Sequence, residues 1–169
     1  MSYTRFFAMI GTSTAVMLIL MYLNTYAWDH VYWSETRFYM AFVMGAAMAV
    51  IMLSFMLAMY KNRTVNIAIY AGSVLIFGVA LFLVRSQTTV DGESYMRAMI
   101  PHHSIAILTS QRAEISDLRV RELADEIIKT QLREIKMMEW LLNDIEENDK
   151  AETQEDADKR PVPEFEVEP

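Results

Sequence analysis

Three long runs of apolar residues without a charged side chain dominate the first half of the chain. They cover residues 6–27, 38–60 and 65–84. Each run reaches the roughly 20 residues that an α-helix needs to cross about 30 Å of hydrocarbon. Because a backbone inside lipid must satisfy its own hydrogen bonds, such runs are typical of membrane-spanning helices. The pattern predicts a membrane domain over residues 1–85 with three transmembrane helices.

The hydrophobic pattern changes after Arg85. Between residues 118 and 147 apolar positions recur every three or four residues, which predicts an amphipathic helix with one buried stripe. A second helix is predicted to precede it, so that the two form a helical hairpin over residues 86–148. Residues 149–169 are acidic and include three prolines, and we expect a disordered tail there.

Two helices alone bury too little core for a stable domain. The simplest remedy is a second copy that completes a four-helix bundle. The sequence therefore predicts an all-α chain, with three transmembrane helices followed by an extracytoplasmic hairpin, that forms a homo-oligomer.

The basic residues of the short loops predict the orientation. Arg5 precedes the first span, and Lys61 and Arg63 lie between the second and third spans, whereas the loop over residues 28–37 holds two acids and one arginine. Positive charge favours the cytoplasmic side. We expect a multi-pass protein of the inner (plasma) membrane with a cytoplasmic N-terminus. The hairpin would then be periplasmic or otherwise extracytoplasmic.

Charge divides the chain in the same place. The first 85 residues carry five basic and two acidic side chains, whereas the rest carry ten basic and twenty acidic ones. An acidic half argues against binding nucleic acid, whose phosphates need clustered Lys and Arg. The chain has no cysteine, so disulfides, thiolate catalysis and iron–sulfur sites are excluded.

Soft and imidazole ligands are concentrated between residues 95 and 103. Met96, Met99, His102 and His103 fall within about 120° of one helical face at 100° per residue. On the second helix, Glu134 and Met138 share one side. A carboxylate on an apolar stripe needs a partner.

If the two helices pack antiparallel, Glu134 and Met138 lie opposite the histidines. Thioether and imidazole ligands favour copper, Cu(I) above all, and a carboxylate leaves zinc or Cu(II) possible. The sequence thus predicts a copper site formed by Met96, Met99, His102, His103, Glu134 and Met138.

Two strings carry a resemblance to a known family. They are M-I-P-H-H at residues 99–103 and I-I-x-x-Q-x-x-E-I-x-x-M at residues 127–138. They resemble the bacterial "domain of unknown function 305" family, which has a ferritin-like helical bundle and includes copper-associated periplasmic proteins. The resemblance covers residues 92–148, and the three spans resemble a membrane-anchored branch of that family.

The resemblance implies Met99, His102, His103 and Met138 as ligands, with Gln131 and Glu134 in weaker, outer positions. Many members carry further Met or His after the histidine pair, where this chain has S-I-A-I-L. The departure favours one shared site over high-capacity copper storage.

Two other interpretations remain open. In the first, the hairpin is a structural or assembly element that only oligomerises, without metal. In the second, the chain is a ferritin-like redox enzyme, but such di-iron sites need several Glu and Glu-x-x-His pairs. Met99 stands three residues before His102, and Ile100 three before His103, so the sequence favours a binding protein over an enzyme.

Overall fold

The computed structural model describes residues 2–167 and is all-α over that range, as predicted. It contains no strand there and includes a 3-10 turn at Trp28–His30. The helices are α1 (Tyr3–Leu20), α2 (Glu35–Phe55), α3 (Arg63–Ser86), α4 (Gly92–Arg112), α5 (Leu118–Asn148) and α6 (Gln154–Lys159).

The first three helices are long and apolar enough to cross a membrane. Their bounds differ from the uncharged runs because capping groups set the ends. The side chains of Ser2, Ser34 and Asn62 accept hydrogen bonds from backbone N–H groups in the first turns of α1, α2 and α3. At the other end of α3, Gln87 adopts a left-handed conformation with φ of 53°. As a result, α1 and α3 extend beyond the uncharged runs and include the charged residues Arg5 and Arg85.

The chain divides into two compact units, of which the first comprises the segment up to Leu23 and Ser34–Asp91. Within it α2 packs against both α1 and α3. A Cβ atom at Gly45 of α2 would collide with the hydroxyl of Thr14 of α1, so glycine permits this close approach. At one end Tyr3 donates a hydrogen bond to Asn66 (2.9 Å), which ties the start of α1 to the start of α3.

The second unit comprises Asn24–Trp33 and the chain from Gly92 onward. Its helices α4 and α5 run antiparallel, because Lys150 pairs with Glu93 while Arg121 donates to the carbonyl of Ser110 (3.0 Å). The apolar core between them is formed by buried side chains of both helices: Met96, Ile100 and Ile107 of α4 with Ile128, Ile135, Met138 and Leu142 of α5.

The loop Asn24–Trp33 joins α1 to α2 in the chain but packs with the second unit. The Tyr26 N–H donates to Ser104 Oγ at 2.7 Å, and Tyr32 packs against the core of α4 and α5. The membrane domain predicted over residues 1–85 included this loop. Two helices leave one side of their shared core uncovered, and the loop packs on that side through Tyr32.

The segment after Asn148 also differs from expectation over the residues described. Instead of a disordered tail there is the short helix α6, whose first turn is capped by the Thr153 side chain. Arg160 then pairs with Asp144 at 2.7 Å, and both side chains are largely shielded from solvent. Capping and this ion pair offset the low hydrophobicity on which the expectation rested. Residues 168 and 169 of the predicted tail lie outside the described range.

Candidate metal centre

The buried face of α4 carries His103 into the protein interior. Met96, Ile100, His103 and Ile107 follow one another at spacings of four, three and four residues, and all four are buried. Because this spacing keeps side chains on one face of a helix, the imidazole of His103 belongs to the stripe that packs on α5. Burial of the ring then requires polar partners for both of its nitrogens.

Both ring nitrogens of His103 have partners. Nδ1 lies 2.9 Å from the Met99 carbonyl oxygen, and since a carbonyl only accepts, Nδ1–H is the donor. Nε2 lies 2.8 Å from Oε2 of Glu134 on α5. Glu134 is the carboxylate that the sequence places on the apolar stripe of α5, where it needs a polar partner. His103 is that partner.

The antiparallel register places two thioethers one turn from this pair. Met99 precedes His103 by four residues on α4, and Met138 follows Glu134 by four residues on α5. Four residues are about one helical turn, and in an antiparallel pair both steps lead in the same direction. Met99 and Met138 therefore lie at the neighbouring level of the interface. Met138 belongs to the buried core of the second unit, and Met99 packs against it.

The two remaining candidates lie differently. Met96 is buried in the same core as Met138. His102 is exposed, and its ring centroid lies 6.1 Å from that of His103. Of the six predicted residues, the structure thus joins His103 to Glu134 directly and gathers three methionines in or against the adjoining core. It leaves His102 at the surface.

The imidazole ring of His103 shares one contact with metal-binding histidines, at Nδ1. Histidines that bind metals usually donate the other ring N–H to a carbonyl or carboxylate, which fixes the ring and its tautomer. Here the Met99 carbonyl performs that role, so Nε2 would be the ligand atom. A tetrahedral ion with bonds near 2.0–2.1 Å separates a nitrogen and an oxygen ligand by about 3.3 Å. The present 2.8 Å would need to widen by roughly 0.5 Å.

Carboxylates and imidazoles alone do not complete a site. Within residues 2–167 no group of three or more His, Asp or Glu side chains could hold a metal ion. An ion at His103 would therefore need thioether ligands, and the chemistry of the available donors favours a soft metal.

A second polar residue of α4, Ser104, contacts the loop Asn24–Trp33, and the sequence did not predict this contact. His30 is buried, and its Nδ1 lies 2.9 Å from Oγ of Ser104, which is itself fully buried and accepts the Tyr26 N–H. The Nε2 atom of His30 lies 4.0 Å from Asp29. A Ser–His–Asp arrangement of this kind is not a nucleophile site, because Ser104 is inaccessible. Its evident effect is to attach the loop to α4. No periodicity marks a contact between residues so distant in the chain.

Charges around this loop perturb two further groups. Burial raises the pKa of the Glu139 carboxyl, Asp29 raises it further, and His30 and Lys136 oppose the shift. Burial also raises the pKa of the Tyr32 hydroxyl, and the negative charges of Glu139 and Asp29 add to that effect. The second unit therefore concentrates carboxylates where the loop meets α5.

Comparison with known proteins finds a family match in the second half of the chain. Residues 92–166 match the family model described as "Domain of unknown function (DUF305)". The match confirms the resemblance drawn from the two sequence strings and extends it through α6. The chain is also 34% identical over 74 residues to "Uncharacterized protein L153" of Acanthamoeba polyphaga mimivirus. That alignment covers 43% of this chain and about half (49%) of the relative. No solved structure matches the chain.

Proposed function

We propose that this chain is a membrane-anchored metal-ion-binding protein that binds copper between α4 and α5 of the second unit. It acts in metal handling or resistance and is a binding protein, without a catalytic step of its own. The observation that carries the proposal is the orientation of His103. Its Nδ1–H is held by the Met99 carbonyl, and its Nε2 faces Glu134.

The anchor consists of α1, α2 and α3. Each of these helices is long and apolar enough to cross a membrane, and most of its residues are unburied. Apolar side chains that are exposed all around a helix require lipid as their solvent. The distribution of Arg5, Lys61 and Arg63 favours a cytoplasmic N-terminus in the inner membrane. An odd number of spans then puts the second unit on the extracytoplasmic side.

The ligand set combines one imidazole with thioethers. His103 supplies Nε2, Met99 and Met138 supply sulfur from the neighbouring level, and Met96 lies in the same core. Glu134 either moves aside or remains as a fourth ligand. With Glu134 displaced the donors favour Cu(I), whereas with Glu134 retained they also suit Cu(II) or zinc. His102, which is exposed, is available to an ion shared with a second copy.

The second unit offers apolar surface to a second copy. Large apolar side chains are exposed at the start of α5, namely Leu118, Val120 and Leu123. Two copies of the antiparallel pair, packed through such surfaces, form the four-helix, ferritin-like bundle that the family resemblance implies.

The test is an anaerobic Cu(I) competition titration on the full chain in detergent. The full chain is required because the loop Asn24–Trp33 contributes to the second unit. We expect stoichiometric binding that His103→Ala abolishes and Met138→Leu weakens at least tenfold. Met137→Leu is the matched control, since Met137 is an adjacent, half-buried methionine outside the proposed site. Helical circular dichroism of each variant verifies the fold.

Binding that survives His103→Ala with unchanged affinity would contradict the proposed site. Loss of binding in Met137→Leu equal to that in Met138→Leu would show that packing, not ligation, governs the effect. His102→Ala separates a site within one chain, which it leaves intact, from a site shared between copies, which it weakens.

One observation favours a structural function instead. Both nitrogens of His103 already have partners, so the His103–Glu134 pair also suits a fixed contact that holds α4 on α5 in an assembly protein. This alternative predicts no Cu(I) binding by the wild-type chain, whereas the metal-binding proposal predicts stoichiometric binding.

A further inference from the structure

The membrane unit contains an apolar groove that the metal-binding proposal does not use. Helix α2 packs against α1 and α3, which face each other across the groove. Its volume is about 720 Å³, and its exposed lining is almost entirely apolar. Small residues widen it, among them Gly11 of α1 and Gly72 of α3.

The groove follows the length of the helices. On α1 it extends from Phe7 to Leu18, which at 1.5 Å per residue is about 17 Å. An extended hydrocarbon chain along α2 would lie against this apolar lining.

One end of the groove is basic. Phe7 and Thr64 line that end, and the Tyr3 hydroxyl bonded to Asn66 brings the two helix starts together there. Three exposed cations flank these residues in the chain: Arg5, Lys61 and Arg63. In the first half of the chain the acids are Asp29 and Glu35, and Glu35 begins α2 at the opposite end. A ligand with an apolar tail and an anionic head matches both features.

We infer that this groove binds one anionic phospholipid, with an acyl chain along α2 and its phosphate beside Arg5, Lys61 and Arg63. The inference rests on the proposed membrane insertion. Basic side chains at a membrane surface attract anionic headgroups, and each contributes about a fivefold gain in affinity. The lipid would fill the space between α1 and α3, which pack on α2 and leave the groove between them.

Native mass spectrometry of the full chain in detergent tests the inference. The probes are phosphatidylglycerol and phosphatidylcholine with identical acyl chains. We expect one retained phosphatidylglycerol per chain and weaker retention of phosphatidylcholine. Gly72→Leu fills the groove and should abolish retention of both. Gly78→Leu is the matched control, because a Cβ at either glycine meets no atom within 4 Å and Gly78 lies outside the groove.

Two further variants test the groove and the basic end separately. Gly11→Leu fills the groove from α1 and should reproduce Gly72→Leu even if that variant folds poorly. The triple change Arg5→Gln, Lys61→Gln and Arg63→Gln should bring phosphatidylglycerol retention down to that of phosphatidylcholine, a loss of about 100-fold.

Retention of phosphatidylglycerol in both groove-filling variants would overturn the site. Conversion of a dimer to a monomer by those variants, without a change in lipid retention, would show that the groove receives a second copy and would also overturn it. Alkaline carbonate extraction of membranes is done first. Release of the wild-type chain would refute the anchor itself, whereas a retained chain without lipid discrimination refutes only the lipid site.

Discussion

Replacing Ser104 with alanine removes the hydroxyl that attaches the loop Asn24–Trp33 to α4. Ser104 is fully buried, accepts the Tyr26 N–H at 2.7 Å and lies 2.9 Å from Nδ1 of His30. The variant leaves a backbone donor and an imidazole nitrogen without their partner. A buried polar group without a partner costs about 1–3 kcal/mol. Since Tyr26 is partly exposed and water can reach its amide, we expect a total near 2 kcal/mol.

Hydrogen exchange of the full chain in detergent, followed by mass spectrometry, measures this loss where it occurs. A decrease of about 2 kcal/mol in the free energy of opening accelerates exchange roughly 30-fold, because 1.4 kcal/mol corresponds to a factor of ten. The acceleration should be confined to peptides that contain residues 24–33 and the α4 segment around Ser104. Peptides of α2 and α3 belong to the other unit and should exchange as in the wild type.

Thr109→Ala provides the control for Ser104→Ala. Thr109 is an exposed residue of the same helix, and its hydroxyl bonds only to carbonyls of its own preceding turn. Its replacement should change stability by less than about 0.5 kcal/mol. Equal exchange of the loop in the wild type and Ser104→Ala would refute the argument that this hydroxyl holds the loop.

Two other changes test packing and electrostatics. Gly45→Ala forces a Cβ against the Thr14 hydroxyl, so thermal unfolding in detergent should show a loss of about 1–3 kcal/mol, while Gly78→Ala, which meets open space, should be neutral. The pKa of Glu139 is raised mainly by burial, so its carboxyl favours folding in the protonated form. That contribution is present below pH 4.5, the ordinary value, and is lost as the pH rises through the folded pKa. Stability of the second unit should therefore contain a component that falls as the pH rises above 4.5 through the folded pKa of Glu139. Glu139→Gln should remove this component, and an unchanged slope would refute the assignment.

The sequence was most informative where length and hydropathy alone determine the structure. Uncharged runs predicted α1, α2 and α3, since length and hydropathy alone determine whether a helix suits a bilayer. Their ends were less accurate, because Ser2, Ser34 and Asn62 decide them by hydrogen bonds that hydropathy does not register. The short helix α6 depends likewise on one capping side chain and one ion pair.

The residues of the candidate site were also only partly predictable from the sequence. A carboxylate on an apolar stripe indicated that Glu134 needs a partner, and the structure supplies His103. The adjacent histidines, in contrast, could not be distinguished by spacing, and only the packing of α4 on α5 shows that His103 is buried while His102 is exposed. His30 was beyond sequence reasoning, because its contact with Ser104 joins residues 74 positions apart.

The central claim is that copper binds at His103 with thioether ligands, and X-ray absorption at the copper edge tests it most directly. The full chain would be prepared with selenomethionine in place of methionine and loaded with one equivalent of Cu(I). The account predicts a first shell that contains both selenium and nitrogen, with the nitrogen contribution lost in His103→Ala. A first shell of nitrogen and oxygen alone, unchanged by selenium, would contradict it.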